Sequence, residues 1–201
     1  MISNESKVRT AKLTRTTKET DIDLELAIEG SGKGAIATGV PFFDHMLNLM
    51  TAHGFFNLNL NATGDIEVDG HHTVEDVGIV LGSAFDKALG DKIGLKRYGA
   101  GFVPMDESLA SVVIDFSNRP FLAYNVQFVR PTTGTFDAEL VEEFFKAFVN
   151  SSRTTLHVNV MYGENTHHVI ESIFKAFGQA LDEATSIDER ICGVRSTKGV
   201  L

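Results

Sequence analysis

Hydrophobic positions follow a helical period in four segments of the chain and alternate with polar positions in most of the others. The helical period predicts helices near residues 41–53, 72–89, 138–149 and 165–184. Alternating and β-branched runs predict strands near residues 8–16, 21–28, 56–62, 66–68, 109–116, 121–128 and 154–162. Pro41 suits the start of the first helix and Gly90 the end of the second. The order of elements is that of a mixed protein of helices and strands.

The element order contains the same pattern twice. His-His-x-x-Glu opens the second helix at residues 71–75 and the fourth helix at residues 167–171. Upstream, residues 42–47 match residues 140–145, which places His45 and Glu143 at equivalent helical positions. We therefore predict the α+β class, with two tandem pseudo-symmetric α/β repeats of about 1–95 and 96–201. Because neither repeat can bury its helix faces alone, we expect them to fuse into one compact body and a single domain over 1–201.

Composition and charge limit the classes to which this protein can belong. The chain has 201 residues with 18 Lys and Arg against 27 Asp and Glu, a formal net charge of −9. This charge argues against nucleic-acid and anionic-membrane partners, which need clustered cations. No apolar run reaches the roughly 20 residues of a membrane span, and the first residues lack the apolar segment of a secretory signal. The single cysteine, Cys192, agrees with a reducing cytoplasm.

The repeated His-His-x-x-Glu motif indicates metal binding. One His pair near a helix start is commonly a cap or a surface feature, but the same motif at matching positions of two helices is typical of ligands. Residues i and i+4 share a helix face, so His71 with Glu75, and His167 with Glu171, can each hold an ion. Adjacent side chains point about 100° apart, so His72 and His168 would reach a different ion. His45 and Glu143 are further candidate ligands, and this donor set favours Mn²⁺ over Fe²⁺ or Zn²⁺.

The remaining histidines and the cations give weaker signals. His53 falls on the apolar face of its helix, which favours core packing, whereas His157 in a strand suits a structural or a site role equally. Four candidate phosphate contacts are cations spread along the chain, namely Arg97, Arg119, Lys175 and Lys198. Lys198 belongs to the tail Arg-Ser-Thr-Lys-Gly at 195–199, whose two cations and two hydroxyls suit a phosphate. Together these residues suggest an anionic substrate.

Conserved-looking blocks occur in one order along nearly the whole chain. They are RTTKETDI at 15–22, FFDHML at 42–47, HHTVED at 71–76, PMDE at 104–107, RPF at 119–121, GTFD at 134–137, LVEEFF at 140–145, NTHH at 165–168, FKAF at 174–177 and STKGV at 196–200. In this order they resemble the imidazoleglycerol-phosphate dehydratase family of histidine biosynthesis. The doubled HHxxE motif is the most specific part of that resemblance.

The resemblance implies a ribosomal protein S5 domain 2-like fold and a homo-oligomer of 24 subunits with active sites at subunit interfaces. It also implies two Mn²⁺ ions per active site. The implied metal ligands are His45, His71, His72, Glu75, Glu143, His167, His168 and Glu171. The implied substrate contacts are Glu19, Arg97, Arg119, Lys175, Ser196 and Lys198, with Glu19, Glu75, Glu171 and Asp106 as candidate catalytic acids.

Five positions depart from the family pattern. Glu143 stands where many relatives have His, Gly70 where Asp is common and Leu49 where Gln is frequent. Val194 and Arg195 replace the usual Pro-Ser before the tail motif. These changes affect site charge, substrate contacts and tail conformation rather than the expected reaction.

The expected reaction is Mn-dependent removal of water from D-erythro-imidazoleglycerol phosphate to give imidazoleacetol phosphate. The proton that is lost has no neighbouring carbonyl group, so we hypothesise that two metals stabilise the substrate ring as an imidazolate. A diazafulvene-like intermediate would follow, and Glu19, Glu75 or Glu171 would remove the neighbouring proton. Two alternatives stay open on spacing alone, a dinuclear metallohydrolase and a non-catalytic metal-binding shell protein.

Overall fold

The computed structural model describes residues 8–201, and within that range the chain forms four α-helices and two main sheets. The helices are α1 (Pro41–His53), α2 (His71–Leu89), α3 (Leu140–Ser152) and α4 (Thr166–Thr185). The strands are β1 (Thr10–Thr16), β2 (Thr20–Ala27), β3 (Lys33–Ala37), β4 (Asn57–Gly64), β5 (Tyr98–Met105), β6 (Ser108–Asp115), β7 (Phe121–Asn125), β8 (Thr132–Thr133), β9 (Phe136–Asp137) and β10 (Thr155–Tyr162). None of these helices is long and apolar enough to cross a membrane.

Two four-stranded sheets have the same topology. The first has the strand order β1-β2-β4-β3 and the second β5-β6-β10-β7. In each, three neighbouring strands are antiparallel, and the edge strand that precedes the short helix, β3 or β7, pairs in parallel. This identity of pairing confirms the α+β fold of two similar repeats.

The helices of one repeat pack on those of the other. The long helix α2 contacts α3, and the long helix α4 contacts α1, while α2 also covers β1 and β2 and α4 covers β5 and β6. Buried aromatic rings fill the shared interior, with Phe144 5.4 Å from Phe43 and 5.4 Å from Phe174 between ring centroids. Since Phe43 belongs to the first repeat and the other two to the second, the repeats share one core.

One strand lacks the hydrophobic pattern that predicts strands, because glycines occupy its buried positions. The strand β5 was not predicted, because its buried positions are Gly99, Gly101 and Val103 rather than a run of large apolar residues. A Cβ on Gly99 would lie 1.9 Å from the Ala180 carbonyl oxygen, and one on Gly101 2.1 Å from that of Ala176. These glycines therefore let α4 lie directly against β5, which fixes the position of α4 on the sheet.

Other boundaries also differ from the predictions. The strand predicted at 66–68 is wrong, since this segment is a turn in which the Val68 amide donates to the Asp65 carbonyl, 2.8 Å away. The edge strand β3 and the two-residue strands β8 and β9 were missed because they are short and largely exposed. The four predicted helices and the other predicted strands agree with the structure to within about three residues at each end.

Glycine contacts between helices predict a loss of stability on substitution. A Cβ on Gly82 of α2 would lie 2.5 Å from the Phe148 carbonyl oxygen, and one on Gly178 of α4 2.5 Å from that of Met50. We expect Gly82→Ala and Gly178→Ala each to lower the free energy of unfolding by about 1–3 kcal/mol, because the helices must move apart. Urea denaturation measures this. Ser83→Ala, on the outward side of the same helix, is the control, and an equal loss in that variant would contradict the packing argument.

Candidate active site

Three side chains from two helices converge near the start of α4. His45 of α1, and His167 and Glu171 of α4, each offer a ligand atom, and these atoms lie within 4.8 Å of one another. His45 Nε2 is 2.8 Å and His167 Nε2 3.3 Å from the same Glu171 oxygen, Oε1. The α1–α4 contact brings His45 to the His167–Glu171 face, as the helical spacing predicts. We call these three residues the metal cluster, since imidazole and carboxylate donors at this spacing suit a divalent cation.

Charges hold Glu171 in its ionised form. The carboxylate is buried, which by itself raises its pKa. Hydrogen bonds from Lys175 and His45 outweigh this effect and lower the pKa of Glu171 to about 2. Lys175 Nζ lies 2.8 Å from Glu171 Oε2, while the two histidines face Oε1, so both oxygens have partners. An ionised carboxylate is the protonation state that a cation ligand needs.

Side-chain hydrogen bonds to backbone amides fix the start of each long helix. Asn165, the N-cap of α4, accepts a hydrogen bond through its side chain from the His167 amide, 3.0 Å away. The N-cap of α2 is Gly70, and the Asp69 side chain just before it accepts a hydrogen bond from the His71 amide, 2.8 Å away. These hydrogen bonds hold both His-His pairs on the first turn of their helices.

The equivalent trio of the other repeat is more open. Glu143 on α3 pairs with Lys146, 2.9 Å away, rather than with His71 or Glu75. Among residues 8–201, no second trio of such donor atoms lies within 4.8 Å of one another. His71, Glu75 and Glu143 nevertheless occupy positions on α2 and α3 that match those of His167, Glu171 and His45 on α4 and α1. The structure therefore brings together one predicted cluster and places its counterpart on an equivalent pair of packed helices.

The second histidine of each pair binds acids of a neighbouring turn. His72 Nδ1 lies 3.0 Å from Asp65 and 3.9 Å from Glu19, and these acids raise its pKa. His168 Nδ1 lies 2.7 Å from Glu107, an ion pair that raises the pKa of His168 and lowers that of Glu107 to about 2. A carboxylate that is hydrogen-bonded to Nδ1 orients the ring and leaves Nε2 directed outward. This is the usual arrangement around metal-binding histidines.

The candidate catalytic acid Asp106 lies in the same turn as Glu107. Its side chain is largely exposed, 4.0 Å from His168 Nε2, and its backbone is left-handed with φ 47°. Its exposure leaves it free to contact a molecule that enters from outside.

A cationic pocket lies at the opposite end of the second sheet. It is a cavity of about 620 Å³, lined by Arg97, Tyr98, Arg119, Arg195, Ser196, Thr197, Lys198 and Val200. Arg97 is buried and bound by Asp115 at 2.6 and 3.0 Å, whereas the Arg119 side chain is 65% exposed. We call this the anion pocket. It unites Arg97, Arg119, Ser196 and Lys198 of the predicted substrate contacts. Lys175 lies beside the metal cluster, bound to Glu171, and Glu19 lies near His72.

The metal cluster and the anion pocket lie far apart in one chain. The Arg97 amide donates to the Ala184 carbonyl in the last turn of α4, while His167 is in the first turn. At 1.5 Å per residue these positions are about 25 Å apart. The strand β5 gives a similar length, since it runs from Tyr98 beside the pocket to Met105, whose sulfur lies 3.2 Å from Lys175 Nζ.

Sequence reasoning overlooked several residues of these sites. Asp65 and Asp115 each follow or end a strand and could have been found only by their position beside His72 and Arg97. Glu107 lay in the quoted PMDE block without an assigned role. His53 is half-buried at the α1–α4 contact, where burial lowers its pKa, in line with the packing role expected. His157 is exposed on the outer face of the second sheet, 6.2 Å from the Phe121 ring.

Fold and site together are compatible with a metal-binding enzyme that acts on a small anionic molecule. Comparison of the chain with known proteins identifies the family. Residues 38–181 match the family model described as imidazoleglycerol-phosphate dehydratase. An imidazoleglycerol-phosphate dehydratase of Geobacter sulfurreducens is 58% identical over 96% of this chain and 99% of its own, and one of Geobacillus sp. is 59% identical over 96% and 100%. The chain belongs to the imidazoleglycerol-phosphate dehydratase family, and it is thus a hydro-lyase of histidine biosynthesis.

Solved structures of the family have the same fold. The dehydratase of Staphylococcus aureus has a TM-score of 0.81 at 42% identity, covering 89% of this chain and 99% of its own. The dehydratase of Pyrococcus furiosus, in complex with (S)-C348, has a TM-score of 0.82 at 38% identity, covering 94% and 100%.

Loss of the carboxylate from the buried Arg97–Asp115 pair should cost more stability than loss of a carboxylate from a surface ion pair. In Asp115→Asn the buried guanidinium loses its carboxylate, and we expect the free energy of unfolding to fall by about 3 kcal/mol. Glu142→Gln, which removes a surface carboxylate 3.2 Å from Lys146, should change it by less than about 1 kcal/mol. Urea denaturation at equal protein concentrations compares them. Equal losses would show that Asp115 has no special role in the pocket.

Proposed function

We propose that the chain catalyses Mn²⁺-dependent dehydration of D-erythro-imidazoleglycerol phosphate to imidazoleacetol phosphate with two ions per active site. The observation that carries this proposal is the convergence of His45, His167 and Glu171 on one point. The proposed ligands are these three with His71, His72, Glu75, Glu143 and His168. They supply imidazole and carboxylate donors without thiolate, a set that suits Mn²⁺.

The donor set fits two ions. Each trio provides three donors, whereas Mn²⁺ prefers about six, so each needs further ligands. His72 and His168 can supply them, because a carboxylate on Nδ1 orients each ring and leaves Nε2 free. Both point away from the trio of their own helix, since adjacent helical side chains diverge by about 100°. This divergence favours donation to an ion held by a neighbouring subunit.

The distance between the metal cluster and the anion pocket also favours an interface site. A substrate with an imidazole ring at one end and a phosphate at the other spans about 10 Å. It cannot reach across the roughly 25 Å that separate the two regions along α4. We infer that each active site combines the metal cluster of one subunit with the anion pocket of another, which places active sites at subunit interfaces.

In the reaction, the metal ions would bind the substrate imidazole and stabilise negative charge on the ring. The anion pocket, through Arg119, Ser196 and Lys198, holds the phosphate and so orients the glycerol chain. A carboxylate then accepts the proton from one carbon while hydroxide leaves the neighbouring carbon, and the accepted proton and the hydroxide together make up the water that is released. The enol that remains tautomerises to the ketone. Lys175, held by Glu171, places a positive charge beside the reacting end of the site.

Geometry favours Glu19 as the proton acceptor among the candidate acids. Both oxygens of Glu171 already have partners, and its pKa of about 2 makes it a weak base suited to binding a cation. Glu19 is more exposed, and within residues 8–201 its one ionic neighbour is His72, 3.9 Å away. Asp106 is similarly placed beside His168 at the equivalent turn of the second repeat.

Metal removal tests the proposed function. We expect chelation to abolish dehydration of imidazoleglycerol phosphate and Mn²⁺ to restore it, with about two ions bound per chain by elemental analysis. Bound metal without turnover of this substrate would favour the shell protein instead. Metal-dependent cleavage of esters or amides, again without dehydration, would favour the metallohydrolase.

A second prediction concerns Glu171. Glu171→Gln keeps the size of the side chain but removes the charge that faces His45, His167 and Lys175. We expect turnover to fall by at least about 100-fold, with substrate binding by calorimetry changed much less. Glu164→Gln, on the exposed segment before α4, is the control and should behave like the parent. Parental kinetics for Glu171→Gln would mean that Glu171 is neither an essential ligand nor the base.

The two sheets differ in a way that supports self-association. The outer face of the first sheet carries Lys12, Asp23, Glu25, Asn59 and Asn61. The same face of the second sheet exposes Tyr98, Phe102, Val113 and Phe121. Exposed aromatic residues in such a patch are typical of protein interfaces. This supports the homo-oligomer, which the family resemblance puts at 24 subunits, and the single Cys192 supports a cytoplasmic location.

A negative charge on this outer face of the second sheet, which exposes aromatic residues, should therefore prevent the subunits from assembling. We expect Phe102→Glu to give a smaller species in light scattering coupled to size-exclusion chromatography, and to lose activity while keeping its circular dichroism spectrum. Thr14→Glu adds the same charge to the exposed outer face of the first sheet and should leave the assembly intact. If Phe102→Glu kept the parental mass, this face would not be an interface.

A further inference from the structure

The tail is joined to the body by two hydrogen bonds that run in opposite directions. Arg97 Nη1 donates to the carbonyl of Arg195, 2.7 Å away. In return, Arg195 Nη1 donates to the carbonyl of Lys96, 2.9 Å away. Each guanidinium donates to a backbone carbonyl that belongs to the other arginine or to the residue next to it. A shift of the tail along the body would therefore break both hydrogen bonds. We call this pair of contacts the arginine clamp.

The ring of Tyr98 lies under both arginines. The Arg97 guanidinium carbon is 4.7 Å from the ring centroid, and that of Arg195 is 5.5 Å from it. Both distances are within the range in which a cation is attracted to the face of an aromatic ring. The aromatic ring thus holds two like charges close together at the wall of the anion pocket.

The body side of the arginine clamp is rigid. Arg97 is buried, has a left-handed backbone with φ 73°, and is bound by both oxygens of Asp115. Its Nε, Nη1 and Nη2 atoms all have partners within the chain. The side-chain nitrogens of Arg97 are therefore already occupied by hydrogen bonds within the chain. Arg119, Ser196 and Lys198 are left to contact an anion.

The tail side of the arginine clamp carries the anion contacts. Ser196 directly follows Arg195, and its hydroxyl accepts a hydrogen bond from the Lys198 amide, 3.2 Å away. The Gly199 amide donates to the Ser196 carbonyl, 3.1 Å away, in a turn that Gly199 permits with φ 76°. The position of this turn therefore depends on where Arg195 is held.

We propose that Arg195 is a positioning residue that fixes the tail so that Ser196 and Lys198 face Arg119 across the anion pocket. The inference rests on the proposed function, since it assigns the substrate phosphate to this pocket.

Arg195→Ala and Arg195→Lys test this role, with Arg190→Ala as the control. Arg190→Ala removes the same charge from the same segment. Among the described residues, the Arg190 side chain bonds to Asp188 alone, outside the pocket. In Arg195→Ala we expect the KM for imidazoleglycerol phosphate to rise about tenfold while kcat changes less than about twofold. Inhibition by inorganic phosphate should weaken by a similar factor. Arg195→Lys should recover part of this loss, because an ammonium group can still donate to the Lys96 carbonyl.

A second readout does not require turnover. Endoproteinase Lys-C cleaves after Lys198 and releases residues 199–201, which intact mass detects. We expect cleavage to be several-fold faster in Arg195→Ala than in the parent or in Arg190→Ala, and inorganic phosphate to protect the variant less.

The two readouts separate the possible outcomes. A raised KM with unchanged cleavage would make Arg195 a direct phosphate contact and overturn the positioning role. Parental values of both KM and cleavage would also overturn it. If the parent failed to turn over the substrate, the proposed function would fail, while the cleavage rates would still decide whether Arg195 fixes the tail.

Discussion

The length of α4 is the constraint on which the rest of the site depends. Its first two turns carry His167 and Glu171 of the metal cluster, and a carbonyl of its last turn accepts a hydrogen bond from the Arg97 amide beside the anion pocket. A rigid helix of 20 residues keeps the two regions about 25 Å apart, and no side-chain movement can close such a gap. Both regions are well formed within one chain, yet they cannot act on one small substrate there. The proposed assembly, in which the metal cluster of one subunit meets the anion pocket of another, would resolve this conflict.

The cross-packing of the repeats fixes the ligands in place. Each long helix packs on the short helix of the other repeat, so His45 of the first repeat meets His167 and Glu171 of the second. Glycines at these contacts allow the helix backbones to approach closely. One shared core of aromatic side chains then supports both ends of the molecule. Both repeats are therefore needed for the site, since a single repeat could not form the metal cluster.

Much of this arrangement could be predicted from the sequence, because it rests on local periodicity. The helical spacing of His167 and Glu171, and the equivalence of His45 and Glu143, follow from residue positions along helices. What could not be predicted depends on contacts distant in sequence. Gly99 and Gly101 look like breakers until α4 is placed over them, and Asp115 shows its role only beside Arg97. Spacing also did not reveal that Lys175 lies beside Glu171 and that the length of α4 separates it from Arg97 and Arg119 of the same chain.

Subunit mixing tests the central claim, that each active site takes its metal cluster and its anion pocket from different chains. Glu171→Gln damages only the first region and Arg119→Ala only the second, and each variant alone should be nearly inactive. Refolded together, they should regain about a quarter of the parental activity, because random mixing unites the two intact regions in about one site of four. Mixing Glu171→Gln with His45→Ala, which damages the same region, should recover none. If Glu171→Gln and Arg119→Ala failed to complement each other in mixed assemblies of parental size, the two regions would not meet across an interface.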